Sequence, residues 1–205
     1  MLQGKTALIT GASRGIGKGI AEIFAKNGCN IAFTFASSVE KARAFEQELS
    51  AQYGVKVKGY QSDAANFAQS MTLAETVIAD FGKIDCLINN AGISQFKSFE
   101  QQSDKDITQL MLTNLISPML LCKQLVPLLK KESSQIINIG SIFGYLGFPG
   151  FSSYCASKFG LRGFSEALRG ELRGRPRIHV CDVFPAFLDT PGVGHAAGGA
   201  DRFQR

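Results

Sequence analysis

Six short apolar runs divide this chain, and the first five lead into stretches whose apolar residues fall at helical spacing. Thr6 to Thr10, Asn30 to Phe35, Ile84 to Ile88 and Ile136 to Ile139 carry almost no charge. That composition suits strands covered on both faces. Val55 to Tyr60 instead alternates Lys56 and Lys58 with apolar neighbours, the pattern of a strand near a sheet edge. Arg177 to Phe184 reads as the sixth strand and ends at Pro185. The helical stretches include Ile20, Ile23 and Phe24, then Val39 to Gln52, Ala64 to Phe81, a long segment around Leu110 to Leu129, and Phe159 to Leu172. In the last of these, Leu161, Phe164, Leu168 and Leu172 share one face. Strands alternating with helices predict right-handed crossovers and a parallel sheet. The expected fold is α/β, a Rossmann-like doubly wound parallel sheet with helices on both faces.

A length of 205 residues is the scale of one domain, at roughly 150 residues per domain. No internal repeat, low-complexity block or linker divides the chain, so residues 1–205 are read as one unit, with 191–205 a flexible tail or the start of a substrate lid. The net charge of +5 is modest. No basic helix with interleaved aromatics appears, so nucleic acid is not indicated. The long apolar segment is interrupted by Thr113, Asn114, Pro118 and Pro127, which argues against a membrane span. Cys29, Cys86, Cys122, Cys155 and Cys181 have neither metal nor redox spacing. They read as reduced thiols of a cytoplasmic protein, and no metal is expected. The first strand begins within a few residues of Met1, leaving no room for a signal peptide.

In parallel sheets, ligands bind beyond the carboxyl ends of the strands. Four candidate stretches fall on that edge. The first strand runs into Gly11-Ala-Ser-Arg14-Gly15-Ile-Gly17 and then a helix, a placement that offers free N–H groups and a positive dipole end to a phosphate. The spacing departs from Gly-x-Gly-x-x-Gly, with three residues between the first two glycines. After the second strand no Asp or Glu stands ready for a ribose 2′-hydroxyl, whereas Arg14, Ser37 and Ser38 would suit a 2′-phosphate. NADP(H) is therefore preferred to NAD(H), with Glu40 the residue that would favour the reverse by swinging inward. Asp63 follows the third strand, where it would either meet an adenine amino group or cap the next helix. Asn89-Asn90-Ala91-Gly92 closes the fourth strand, and paired Asn side chains there can simply fix a turn.

Between the fifth strand and its helix lies Ser141 to Lys158. If the helix starts near Ser152 or Ser153, Tyr154 and Lys158 sit one turn apart on one face. A free phenol has a pKa near 10, and a neighbouring ammonium favours the phenolate. Ser141 at the strand end would hydrogen-bond a substrate oxygen facing the same phenol. Such a group moves a proton on and off a carbonyl oxygen. The same spacing also arises from one buried ring and one solvated charge. Asn114, inside a helix, calls for a reason, because Asn disfavours helix interiors.

Taken together, these residues resemble the short-chain dehydrogenase/reductase family. Thr10-Gly11-x-x-x-Gly15-Ile16-Gly17 is similar to its cofactor turn, Asn89-Asn90-Ala91-Gly92 to its motif after the fourth strand, and Ser141, Tyr154 and Lys158 to its active-site spacing. The resemblance runs from Lys5 to about Pro191, and the first half is most similar to 3-oxoacyl-(acyl-carrier-protein) reductases. It implies that Tyr154 donates a proton to a carbonyl, that Lys158 lowers its pKa and holds a nicotinamide ribose, that Ser141 orients the substrate, and that Asn114 holds a water. It also implies cofactor contacts at Gly11, Ser13, Arg14, Gly15, Ile16, Gly17, Ser37, Asp63, Asn90, Ala91, Gly92, Tyr154, Lys158, Pro185 and Thr190. Where the family carries Pro-Gly after the sixth strand, this chain has Pro185-Ala186. A further family strand and helix are expected to be missing, which would make the sixth strand an exposed edge.

The expected activity is hydride transfer between NADP(H) and a ketone or secondary alcohol, with a 3-oxoacyl thioester as a candidate substrate. Phe143, Leu146, Phe148, Phe151 and Phe187 are candidates to line an apolar approach, or else ordinary core. The rival reading is a cofactor-binding scaffold with little turnover. A homodimer is expected through helices 104–130 and 153–173, with Leu112, Ile116, Leu120, Leu161 and Phe164 as its apolar surface.

Overall fold

Asp85 ties the start of the sheet together. Its carboxylate accepts from the Thr6 backbone N–H at 2.8 Å and from the Lys5 ammonium at 2.9 Å, with the Lys83 ammonium 3.4 Å away. Above this clamp stand β1 (Thr6–Ile9) and β4 (Cys86–Asn89), the central pair. In the computed structural model, which describes residues 1–129, 133–173 and 178–186, they are flanked by β2 (Asn30–Phe35), β3 (Val57–Gln61), β5 (Ser134–Ile139) and β6 (Ile178–Val183). All neighbours pair in parallel, in the order β3-β2-β1-β4-β5-β6.

Alternation along each central strand decides which helix it meets. Ala7 and Ile9 of β1, with Ile31 and Phe33 of β2, pack against α1 (Gly15–Lys26) and α2 (Val39–Tyr53). Leu8, Ala32, Leu87 and Ile136 face the opposite way, toward α3 (Phe67–Phe81), α5 (Ser117–Leu125) and α6 (Ser152–Leu172). Leu8, Ile31, Phe33 and Leu87 have no accessible surface, and burial of each such side chain stabilises the fold by about 1.5–3 kcal/mol. The expected doubly wound sheet is therefore observed. β3 is an edge, as its lysines predict. β6 is the other edge among the described residues, and His179, Cys181 and Val183 on one of its faces are exposed.

Three boundaries differ from the sequence reading. β3 begins at Val57 rather than Val55. α3 begins at Phe67 rather than near Ala64, because Asn66 rather than Asp63 supplies the cap, accepting from the Gln69 N–H. The long helix read over 104–130 is not one helix. α4 (Asp104–Met111) starts on a reciprocal Ser103–Asp106 capping box and runs into a wide turn, Leu112–Ile116, in which the Ser117 N–H reaches back to the Leu112 carbonyl. α5 then starts with Pro118 in its first turn. Proline has no N–H, so Pro118 cannot bond the Asn114 carbonyl in the regular i→i−4 manner. That missing donor gives the helix a reason to widen at Asn114.

Candidate active site

The glycine turn between β1 and α1 is shaped by contacts with the end of β4. Gly11 and Gly15 have φ of +66° and +58°, a region that side chains resist. A Cβ on Gly17 would come within 2.4 Å of Asn90 Nδ2 and 2.8 Å of the Gly11 carbonyl. The Asn90 amide donates to the carbonyls of Thr10 and Gly11 at 2.9 and 3.0 Å, while the Thr10 hydroxyl accepts from the N–H groups of Asn90 and Ala91. The turn is further fixed by the Gly11 N–H, which donates to the Thr34 hydroxyl. Arg14 precedes α1 as its cap residue without a side-chain capping hydrogen bond, and no acidic residue stands in the first turn. This donor set fits the pyrophosphate of a dinucleotide, which such a helix end attracts. Arg14, Ser37, Ser38 and Asp63 are all exposed, whereas Gly11 and Ser13 are half-buried.

The second half of the site forms where β5 ends and α6 begins. Ser141 leaves β5 in extended conformation, and its hydroxyl accepts from the Phe143 N–H at 3.2 Å. The Ser141 hydroxyl lies near enough to the Tyr154 phenol to act on its pKa. Burial pushes the Tyr154 phenol above its ordinary value, and the Ser141 hydroxyl beside it opposes that shift without reversing it. Lys158, one turn along α6, is 5 % exposed and donates to the Ile139 carbonyl at 2.8 Å. Burial brings its pKa down to about 8. The ammonium lies 5.8 Å from the Tyr154 ring centroid. The expected lowering of the phenol by Lys158 is thus not seen, because burial dominates at Tyr154 and the ammonium is bonded to β5 instead.

Asn114 closes the pocket from the wide turn. Its side chain is fully engaged: Oδ1 accepts from the Ile93 N–H at 2.8 Å, and Nδ2 donates to the Ile93 carbonyl at 2.8 Å and to the Ser157 hydroxyl at 3.2 Å. A Cβ on Gly92 would lie 3.5 Å from Asn114 Oδ1 and 3.8 Å from Lys158 Nζ, so this glycine borders the gap between the two. The fold brings Gly92, Asn114 and Lys158 together, with Tyr154 one turn before Lys158 on α6. The exposed Asp63 carboxylate accepts from the Ala65 N–H in a local turn. Phe143 and Phe151 are buried in an aromatic cluster with Tyr154, so they wall the site from behind, whereas Leu146 and Phe148 are exposed. Pro185 and Ala186 follow β6, with the Pro185 carbonyl accepting from Ile142 N–H. Phe187, Thr190 and the tail 191–205 lie outside the described residues.

Two polar groups beneath the site were not anticipated. Asn138 in β5 accepts from Asn89 Nδ2 at 2.7 Å and donates to the Ser165 hydroxyl at 2.8 Å, which donates on to the Leu161 carbonyl. This chain pins α6 to the sheet. An Asn flanked by Ile137 and Ile139 in an apolar strand was the available signal, since a buried amide demands partners.

Comparison with known proteins agrees with this geometry. The short chain dehydrogenase family model matches residues 5–198. The chain belongs to the short chain dehydrogenase family. Among curated relatives of this dehydrogenase is the 3-oxoacyl-(acyl-carrier-protein) reductase of Haemophilus influenzae, 40% identical over 190 residues, which are 92% of this chain and 76% of that protein. Its counterpart in Escherichia coli is 38% identical over 189 residues, 92% and 75% of the two chains. A short chain dehydrogenase from Burkholderia cenocepacia, solved in complex with NADP, superposes with a TM-score of 0.89 at 32% identity, covering 99% of this chain and 84% of that one. One from Burkholderia phymatum, solved with NAD, gives 0.89 at 28% identity, covering 100% and 71%. The short chain dehydrogenase described here is accordingly an oxidoreductase of the CH–OH/C=O class. No helix among its described residues is long and apolar enough to cross a membrane.

Proposed function

We propose that this dehydrogenase interconverts a ketone and its secondary alcohol using NADP(H), with a 3-oxoacyl thioester as the first substrate to try. One observation carries the reading: Ser141, at the carboxyl end of β5, lies beside the Tyr154 phenol, one helical turn from the buried Lys158. The nicotinamide supplies or accepts the hydride when bound. In reduction, Tyr154 gives its proton to the carbonyl oxygen, and a phenol held above its ordinary pKa is still protonated at neutral pH. Ser141 holds that oxygen against the phenol. Lys158 would place a positive charge beside the Tyr154 ring and would hold the nicotinamide ribose. The Asn114 carbonyl, which Pro118 cannot bond, holds a water for reprotonation, since the Asn114 side chain is already occupied.

The preference for NADP(H) rests on the exposed Arg14 of the glycine turn, the exposed Ser37 after β2 and the lack of an acid at the end of β2. Relatives named 3-oxoacyl-(acyl-carrier-protein) reductase favour the thioester, and exposed Leu146 and Phe148 favour an apolar substrate. We take residues 1–205 as one domain of a cytoplasmic protein, a placement supported by five free thiols.

We further propose a homodimer across α4, α5 and α6. Leu161, expected in that surface, is buried at 2 % exposure and does not contribute, because it faces the sheet side of α6. Leu112, Ile116, Leu120 and Phe164 are half-buried, and Met119 and Phe159 are the exposed apolar residues on these helices. Loss of NADPH absorbance with a panel of ketones and 3-oxoacyl thioesters tests the activity. Turnover of any of them supports the reading, and no turnover with tight NADPH binding would support a cofactor-binding scaffold instead.

A further inference from the structure

Ser157 directly precedes Lys158 in α6. It is fully buried, with 0 % exposure. Its hydroxyl donates to the Tyr154 carbonyl at 2.7 Å and accepts from Asn114 Nδ2 at 3.2 Å. The donor bond closes the turn of α6 that carries Tyr154. The acceptor bond reaches another element, the wide turn between α4 and α5. Through the same Asn114 amide, the link continues to both backbone groups of Ile93, directly after Gly92. One hydroxyl therefore joins three segments that border the site: the loop after β4, the widened helix and the first turns of α6.

We propose that Ser157 is a positioning residue for the reaction, holding the Tyr154 turn of α6 in register with Asn114. The proposal rests on the reading of Tyr154 as the proton donor. A hydroxyl suits the role because it can donate and accept at once, in a space closed to water. Alanine at this position removes the acceptor, leaving one Asn114 N–H buried without a partner, a costly state that the amide relieves by turning. Asn114 then releases its hold on Ile93, and the Tyr154 turn loses its only side-chain tie to the widened helix among the described residues. Displacements of this kind act on rate, since small errors in the placement of reacting groups cost up to about a hundredfold.

The test compares the wild type, Ser157→Ala, Asn114→Ala and the double variant, each as the full chain. For Ser157→Ala we expect kcat to fall roughly tenfold to a hundredfold, with KM and the NADPH dissociation constant from fluorescence titration changed by less than about threefold. The double variant should be no slower than Asn114→Ala, because the serine acts through that amide. A second readout needs no turnover. Ultraviolet titration of the cofactor-free protein, differenced against Tyr154→Phe, reports the Tyr154 phenol. In Ser157→Ala it should move upward by about half a pH unit or more, as the contact with Ser141 loosens. An unmoved phenol, or rate losses that multiply in the double variant, overturns the proposal. A wild type that oxidises no NADPH overturns the reductase reading instead, and the phenol titration still decides whether Ser157 positions Tyr154.

Discussion

Lys158 offers a test of the site that is independent of catalysis. Burial brings its pKa from 10.5 to about 8 in the folded chain. A cation whose folded pKa is depressed works against folding while it is charged. The penalty is full below about pH 8 and is gone above about pH 10.5, where both states are neutral. At about 1.4 kcal/mol per pH unit, the whole penalty is about 3 kcal/mol, of which most is relieved between about pH 7 and pH 10. Lys158→Met keeps the length of the side chain and removes the charge. It also leaves the Ile139 carbonyl without its donor, at a cost of about 1–3 kcal/mol that does not depend on pH. The difference in stability between the two proteins is therefore expected to change by about 2–3 kcal/mol in favour of the wild type as the pH rises across that window. Urea unfolding of both proteins without cofactor, at several pH values, measures this directly, and groups common to both cancel. A difference that stays flat with pH would show that Lys158 is not a buried cation, and the account of the site would lose one of its supports.

Further outcomes are expected. NADPH should bind at least about tenfold more tightly than NADH, a difference of about 1.4 kcal/mol, and Arg14→Ala should narrow the gap by weakening NADPH alone in a fluorescence titration. Gly92→Ala should unfold within about 0.5 kcal/mol of the wild type, since its new methyl meets only ordinary contacts, yet weaken cofactor binding by filling the gap beside Lys158; unchanged binding would refute that placement. Pro118→Ala should raise stability by offering an N–H to Asn114 while lowering kcat; a gain in both would show that the missing donor at Pro118 has no role. Asp85, held below the usual carboxylate range by Lys5 and the Thr6 N–H despite its burial, contributes stability above about pH 4 that is lost as the pH falls further; Asp85→Asn should flatten that acid limb in urea titrations.

Much of the fold was legible because local signals agreed with the global one. Uncharged β1 and β4 lie in the middle of the sheet, and lysine-bearing β3 lies at its edge. The glycine turn and the Ser141–Tyr154–Lys158 spacing likewise carried their own local geometry. What escaped the sequence depends on contacts between distant segments. Asp63 and Asn66 are equally good cap residues in isolation, and packing of α3 chose the second. Pro118 in a long apolar stretch signalled interruption, but the wide turn at Asn114 also depends on Ile93 and Ser157, 21 and 43 residues away. The direction of the Lys158 ammonium was unreadable for the same reason: its acceptor is a backbone carbonyl, and a backbone carbonyl leaves no mark in a sequence.

The central claim is that Tyr154 is the proton donor of a carbonyl reductase, and Tyr154→Phe tests it most directly. The substitution removes the phenolic oxygen, leaves the aromatic packing against Phe143 and Phe151 in place, and spares the Lys158 contact with Ile139. Steady-state NADPH oxidation with the best ketone or thioester of the panel should fall by at least about a hundredfold, the scale of general acid catalysis, while NADPH binds with nearly wild-type affinity. Retention of a tenth or more of the wild-type kcat would contradict the account.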